Sequence, residues 1–333
     1  MTVTSQKSTT GLPPGIVGQQ VAVEIISQLL TSGRLPGTLL LSGPGGVGKL
    51  ATALQIAKYF HCDSDKAPDC QCAGCRSIRT GNHSDVMVLS RDRQIGIDEM
   101  REIVAIAGLK SSEGAEKLII IDKAEYITTG GANASLKALE EPGEHVRFIL
   151  ITDTPAKLLS TVRSRSYHLR FGLLSLDSMR EFARLIGDNP GDNETERNIA
   201  MSFNRPGIYL RLSFSESYRS TIENLIDWLN ELLDSRDPVS VADAVRWKEE
   251  FWKYADSLSE LEHKAVIPRG ANAYEIRDFR NDPVKNPISP VNFRIEATSK
   301  RKAQFWTQGR KAILLADALR RNLSLEKSDI NVR

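Results

Sequence analysis

A glycine-rich segment that ends in a lysine, residues 43–50, has the composition of a phosphate-binding loop. It matches the pattern G-x-x-x-x-G-K-[ST] at every position except the last. In that pattern backbone N–H groups surround the phosphates, the lysine reaches the outer phosphates and the final hydroxyl binds Mg²⁺. Leu50 replaces the hydroxyl and cannot bind a metal ion. The predicted nucleotide contacts are Gly43, Gly45, Gly46, Val47, Gly48, Lys49 and Leu50.

A second departure lies at the end of the apolar run 117–122. This run predicts a short strand, and Asp122 closes it where a carboxylate would face a metal ion. Working ATPases of this kind usually carry a glutamate next, which orients or deprotonates the attacking water. Lys123 stands there instead, and an ammonium group keeps its proton at neutral pH. The sequence therefore predicts a site that can hold ATP or ADP without hydrolysing it.

Hydrophobic spacing predicts the elements that position these residues. Residues 38–42 form a buried strand before the loop, and residues 50–57 form a helix after it. Strand and helix signals alternate from about residue 20 to residue 170, which is typical of a parallel sheet with helices on both faces. Beyond Phe171 the spacing is helical: residues 174–186 predict a helix with Asp177 as its N-cap, and further apolar repeats follow residue 222.

All four cysteines lie close together, at Cys62, Cys70, Cys72 and Cys75. Four thiolates in a polar segment favour a tetrahedral Zn²⁺ over disulfides, which a reducing compartment would break. Reduced, metal-free thiols are the alternative, and a redox pair is disfavoured. Because a single residue separates Cys70 from Cys72, His61 is a candidate substitute ligand.

Length and composition set outer bounds on the function. The chain has 333 residues, 41% of them hydrophobic, enough for two or three domains. Its net charge of +2 points to no particular partner. No run approaches the roughly 18 apolar residues of a membrane span, and residues 1–7 lack the apolar core of a secretion signal. We expect a cytoplasmic protein without a membrane partner.

Four further segments, residues 16–20, 133–142, 148–152 and 161–166, carry a resemblance to a known family. Together with the phosphate-binding loop they resemble the AAA+ clamp-loader subunits of bacterial DNA polymerase III, and among these the delta-prime type. The resemblance covers roughly residues 12–171 well and the remainder in outline.

The resemblance implies a division of the chain into three domains. An α/β AAA+ domain occupies residues 1–171 and contains a zinc-module insertion at 61–76. A small helical lid follows at 172–213, and a mostly α-helical collar occupies 214–333. The family usually has two residues between the second and third cysteines of its zinc module, whereas this chain has only Gln71.

The resemblance also implies roles for single residues. Val17 and Gly18 border the adenine pocket, and Thr152 ends the sensor 1 strand beside the nucleotide. Arg165 is the arginine that acts in trans on the ATP of a neighbouring subunit, with a surface salt bridge as the alternative. Arg205 is the nearest candidate for the sensor 2 arginine of the lid, or else a solvated loop residue.

The function implied is that of a non-catalytic clamp-loader subunit with no ATPase activity of its own. Its partners would be the ATPase (tau/gamma) and delta subunits in a hetero-pentamer and, through the complex, the sliding clamp and primed DNA. Two other functions stay open: a working tau/gamma-type ATPase, which Leu50 and Lys123 disfavour, and a zinc-stabilised AAA+ interaction protein, which the length of matching sequence disfavours.

The C-terminal third gives weaker signals. Five residues, all proline or glycine, interrupt any helical spacing across residues 265–290, so we expect a long loop or insertion there. From residue 264 to the end, fifteen Lys or Arg stand against seven Asp or Glu. This excess favours a solvated helix face over a surface for DNA or acidic partners.

Overall fold

The computed structural model describes residues 15–62, 70–90, 93–111, 116–234 and 271–281. The chain divides into two compact units, Met1–Arg219 with Lys264–Phe293, and Ser220–His263 with Arg294–Arg333. Within the described ranges no helix has the length and apolarity needed to cross a bilayer. The division into AAA+ domain, lid and collar stays a prediction.

A sheet of parallel strands forms the centre of the first unit, as the alternating signals predict. Its strands are β1 (Thr38–Ser42), β2 (Val86–Ser90), β3 (Lys117–Asp122), β4 (Val146–Thr152) and β5 (Tyr167–Arg170). Their order across the sheet is β2-β3-β4-β1-β5. Because β1 and β4 run parallel in register, Ser42 lies opposite Thr152 and both strands end at the same edge. The segments that follow them therefore meet in space.

Helices cover both faces of the sheet, and successive strand residues point to opposite faces. Leu39 and Leu41 pack into one core with the first three helices, whereas Leu40 packs into the other core with the next three. The helices in chain order are α1 (Gln20–Thr31), α2 (Lys49–His61), α3 (Ala73–Arg79), α4 (Ile97–Ala107), α5 (Thr129–Glu140) and α6 (Ser160–Ser164).

The helices after the sheet are α7 (Leu176–Leu185), α8 (Asn193–Met201), α9 (Pro206–Phe214) and α10 (Glu216–Asp234). Side chains of α7, α8 and α9 form a third core, which includes Met179, Ile199 and Tyr209. The prediction that Asp177 caps α7 is wrong. Ser175 is the N-cap, since its hydroxyl accepts a hydrogen bond from the N–H of Ser178.

The predicted loop at 265–290 contains a helix, so that prediction is wrong for its described part. Helix α11 (Ala273–Asn281) packs against α7 in the first unit, with Ile276 buried. Asn272 caps its first turn by accepting from the N–H of Glu275. The prolines and glycines of this segment stand on either side of a short helix. The basic C-terminal tail lies outside the described residues.

A buried ion pair attaches α11 to the sheet domain. The ammonium of Lys58 on α2 contacts the carboxylate of Glu275, and the two side chains are 8% and 9% exposed. The second carboxylate oxygen accepts from the N–H of Asn272 at 3.2 Å. Among the described residues each charge is compensated by the other and by this one bond, so removal of either side chain leaves the other charge buried without a counterion.

We expect Glu275→Ala to destabilise the protein by about 3–5 kcal/mol, because it leaves the Lys58 ammonium buried without a partner. The double substitution Lys58→Met with Glu275→Leu should cost far less, since it replaces both charges with apolar groups. Urea unfolding followed by circular dichroism measures both. Arg101→Ala, which breaks an exposed pair whose arginine is 70% exposed, is the control and should change stability little. Equal losses in the single and double variants would contradict the prediction.

Candidate nucleotide and metal sites

The phosphate-binding loop connects β1 to α2 at the carboxyl edge of the sheet. Gly43 has φ 140°, and a Cβ added there would lie 2.1 Å from the carbonyl oxygen of Phe171, so only glycine fits. Gly48 has φ 104° and precedes the first residue of α2, Lys49. The loop therefore presents its N–H groups at the N-terminus of a thirteen-residue helix, an arrangement that favours anions.

The ammonium of Lys49 has three N–H donors, and the chain itself satisfies all three. It donates to the carbonyl oxygens of Gly43 at 2.7 Å and Pro44 at 2.6 Å. Its third partner is a carboxylate oxygen of Asp153 at 2.9 Å. The Lys49 side chain is only 5% exposed. A phosphate can engage this lysine only by displacing one of these acceptors.

Asp153 is the site residue that the sequence analysis missed. It follows β4 directly, so the register of β1 and β4 brings it over the loop. Its second carboxylate oxygen lies 2.7 Å from where a Cβ of Gly45 would be. Its position in the sequence could have identified it, because it is an acid directly after the strand that pairs with β1. An anion of the chain thus lies against the cation that normally binds phosphate.

Arg205 lies near this carboxylate, at the N-cap of α9. Burial lowers the pKa of its guanidinium, and the charge of Asp153 partly offsets that effect. The alternative that Arg205 is a solvated loop residue is therefore wrong. Its position near Asp153 is compatible with the predicted sensor 2 role.

Helix α9, which belongs to the predicted lid, begins directly on the loop. The N–H of Gly207 donates to the carbonyl oxygen of Gly46 at 2.8 Å, and a Cβ on Gly207 would lie 2.9 Å from the Gly46 Cα. The buried Gln19 amide donates to the carbonyl oxygens of Val47 and Gly172 at 3.3 and 2.8 Å. One backbone hydrogen bond thus joins the loop to the predicted lid, and the Gln19 side chain joins the loop to the chain before α1.

Neither Leu50 nor Lys123 offers a ligand for Mg²⁺, as the sequence predicts. Leu50 packs against the core formed with α1 and α2. Asp122 accepts hydrogen bonds from the Ser90 hydroxyl at 3.0 Å and from the N–H of Lys123 at 3.1 Å. Lys123 has φ 58°, an unusual backbone conformation for a lysine. The carboxylate of Asp122 can act as an acceptor, but Leu50 and Lys123 supply neither a ligand for Mg²⁺ nor a general base.

Three other predicted nucleotide contacts lie at the edges of the site. Val17 packs against the lid core, and a Cβ on Gly18 would lie 2.5 Å from Leu174. The hydroxyl of Thr152 is buried and accepts from the N–H of Thr154 at 3.1 Å. Their roles in binding nucleotide stay predictions.

Arg165 lies on another edge of the domain, directly after α6. Its Nε donates to a carboxylate oxygen of Glu140 at 2.8 Å, and its Nη1 donates to the carbonyl oxygen of Thr161 at 3.2 Å. The two charged side chains are 31% and 54% exposed. Exposed pairs of this kind contribute at most about 1 kcal/mol, so this arginine can change partners at low cost.

The four cysteines come together as predicted, with all ligand atoms within 4.8 Å of one another. Cys62 lies at the end of α2 and Cys72 at the start of α3, and the sulfurs of Cys62 and Cys70 are 3.5 Å apart. The N–H groups of Cys72 and Cys75 donate to the sulfurs of Cys70 and Cys72. The four sulfurs form the cluster without His61, whose ring instead packs on His83.

The chemistry of this cluster fits a divalent cation. Burial raises the pKa of the Cys75 thiol, and the neighbouring Cys62 raises it further. A dication reverses that effect, because it stabilises thiolates that would otherwise repel one another. The N–H groups that donate to these sulfurs also suit sulfur atoms that carry negative charge. The four cysteines could therefore hold a metal ion.

Sheet order, phosphate-binding loop and lid together define a P-loop protein of the AAA+ class. A family model described as DNA polymerase III, delta subunit, matches residues 18–175. The delta' subunit of DNA polymerase III from Bacillus subtilis is 35% identical over 223 residues, which cover 66% of each protein. The chain belongs to the clamp-loader family of the AAA+ class.

Other relatives are larger proteins. The gamma/tau subunit of DNA polymerase III from Mycobacterium bovis is 35% identical over 180 residues, 53% of this chain and 31% of that protein. The chain spans only about a quarter to a half of the gamma and tau relatives it matches, from 25% to 51% of their length. A RuvB variant from Thermotoga maritima superimposes loosely, with 20% identity, a TM-score of 0.46 and coverage of 65% and 67%.

Removing the charge of Asp153 should open the loop to nucleotide. We expect Asp153→Asn to raise the affinity for ADP about tenfold, because it replaces a charge-assisted hydrogen bond to Lys49 with a weaker neutral one and removes a repelling anion. Calorimetry on the full chain measures this, with and without Mg²⁺. Asp177→Asn, which removes an equal charge from a side chain 97% exposed on the lid, is the control. An affinity equal to that of the unaltered chain would show that Asp153 does not guard the loop.

Proposed function

We propose that this chain is a delta-prime-type subunit of the DNA polymerase III clamp loader, a subunit that does not hydrolyse ATP. The observation that carries the proposal is the Lys49 ammonium, whose three donors are all taken by the chain's own acceptors. The delta' relative from Bacillus subtilis, which aligns over 66% of this chain, supports it.

Two further features support the absence of hydrolysis. ATP hydrolysis in this class needs a hydroxyl on Mg²⁺ and a group that orients or deprotonates water. The hydroxyl position is taken by Leu50, which packs into the core. Lys123 occupies the position of the base, and its backbone N–H donates a hydrogen bond to the carboxylate of Asp122. The first loss affects Mg²⁺ binding and the second affects activation of the attacking water, so each alone would slow hydrolysis.

The contribution of such a subunit to ATP hydrolysis is made through Arg165. In a ring of AAA+ subunits its guanidinium would face the ATP of a neighbour and offset the charge that develops on the transferred phosphoryl group. An arginine supplied in trans accelerates related reactions by roughly 10³–10⁵. The exposed pair with Glu140 would hold the arginine in place until the neighbour approaches, and would exchange readily for phosphate.

The partners in this proposal are the ATPase (tau/gamma) and delta subunits of a hetero-pentamer. Through the complex, the chain would help to load the sliding clamp onto primed DNA. The cysteine cluster would hold one structural Zn²⁺, since its four sulfurs already lie within 4.8 Å of one another.

A second candidate function is a working ATPase of the gamma/tau type. The similarity to the Mycobacterium bovis gamma/tau subunit favours it, because 53% of this chain aligns at 35% identity. ATP turnover by the purified chain, lost in Lys49→Ala, would establish it and exclude the proposal above. A failure to associate with any clamp-loader subunit would instead favour an interaction protein with another role.

Metal analysis tests the zinc assignment. We expect one Zn²⁺ per chain in protein purified without chelator, and its loss in Cys72→Ser, because a structural site of four ligands does not tolerate the loss of one. Hydrogen exchange should then rise first across residues 62–75. Gln71→Ala, which alters the neighbouring residue and no sulfur, should keep the metal. Four thiols that react freely in the native chain, with no metal present, would refute the assignment.

The arginine is tested in the assembled complex. Arg165→Ala should leave the pentamer intact and slow DNA- and clamp-stimulated ATP hydrolysis at one neighbouring site by about 10³-fold at saturating ATP. Arg165→Lys should restore little, because an ammonium cannot reproduce the planar fork of a guanidinium. Arg184→Ala on α7 removes the same charge elsewhere and should leave hydrolysis unchanged. Normal hydrolysis and clamp loading with Arg165→Ala would remove the arginine from the mechanism.

A further inference from the structure

A second polar cleft lies beside the phosphate-binding loop, where α6 and β5 meet the end of β1. Its volume is about 540 Å³. Its polar lining is dominated by hydroxyl and basic side chains, and no acidic residue takes part. The side chains that matter here are Ser42, Ser160, Arg163, His168 and Arg170.

The charges in this cleft are uncompensated within the described part of the chain. Neither Arg163 nor Arg170 forms an ion pair with any described residue, in contrast to Arg165 nearby. Arg163 and Arg170 line the cleft together with His168, whose pKa is lowered by burial and further by the charges of the two arginines. Like charges brought together around a concave space favour an anion between them.

The lining supplies donors as well as charge. The hydroxyl of Ser160 has no side-chain partner among the described residues, and the His168 ring is held at 2.5 Å from the Ser42 hydroxyl. Arginine presents a planar fork of donors that matches phosphate oxygens. Two such forks and a free hydroxyl around one cleft make a set of donors suited to an oxyanion with more than one charge.

We propose that this cleft binds a dianionic phosphate group, either inorganic phosphate or the terminal phosphate of a nucleotide. Two guanidinium groups balance the two charges of a monoester, whereas a phosphodiester of nucleic acid carries only one. The cleft is separate from the chemistry already described, since neither Lys49 nor Arg165 lines it and the loop contributes only Gly43 at its rim. The assignment does not depend on the proposed function.

Histidine NMR on the full chain tests the proposal. The chain has five histidines, so the ring Cε1–Hε1 signals are few and His168→Gln assigns the one of interest. The background is Lys49→Ala, which disables the neighbouring loop. Inorganic phosphate added at constant ionic strength should shift the His168 signal saturably and raise its pKa, because an adjacent dianion stabilises the imidazolium. ADP in the same background distinguishes a nucleotide source from free phosphate.

Two variants decide the outcome. Arg163→Ala with Arg170→Ala should weaken phosphate binding at least about tenfold, since two charge-assisted contacts are lost. Arg101→Ala on α4 removes an exposed arginine and should bind as before. The other four histidine signals report whether the double variant is folded. A linear, unsaturated shift, or equal binding by the double variant, overturns the proposal. An oligothymidine without terminal phosphates that binds as well as phosphate overturns the assignment to a dianion.

Discussion

An ammonium group has three protons to donate, and at Lys49 this chain provides an acceptor for each of them. The third acceptor, Asp153, is available only because β1 and β4 are parallel neighbours whose carboxyl ends meet at one edge. A phosphate that binds Lys49 must therefore displace one of these acceptors, and the carboxylate of Asp153 is the one that carries a charge. The contact of Gly207 with Gly46 and the guanidinium of Arg205 lie beside the same site.

Much of the sheet domain could be predicted from the sequence. Strands β1 and β3 have the bounds that their apolar runs predict, because parallel strands covered on both faces read as continuous hydrophobic segments. The loop is recognisable since its glycines and lysine serve local backbone needs. The four cysteines could be assigned to one cluster because their spacing is short and so leaves little conformational choice.

Contacts that depend on distant parts of the chain could not be predicted in this way. Asp153 lies 104 residues from Lys49, and nothing local in its sequence shows that it would turn toward the loop. Helix α11 is short and flanked by prolines and glycines, so its helical spacing is hidden, and its burial depends on Lys58 of α2. At α7 both Ser175 and Asp177 are good caps, and spacing alone could not decide between them.

Because α11 packs on the first unit, that unit is complete only when residues far apart in the sequence are present. The first unit is assembled from two stretches, and residues Ser220–His263 of the second unit lie between them in the sequence. A fragment that stops at Arg219, the natural place to cut after the lid, would contain every nucleotide-site residue and yet expose the surface that α11 covers. Synthesis from the N-terminus would present that same incomplete surface for the time needed to add about fifty further residues. Completion of the sheet domain thus waits for the C-terminal third of the chain.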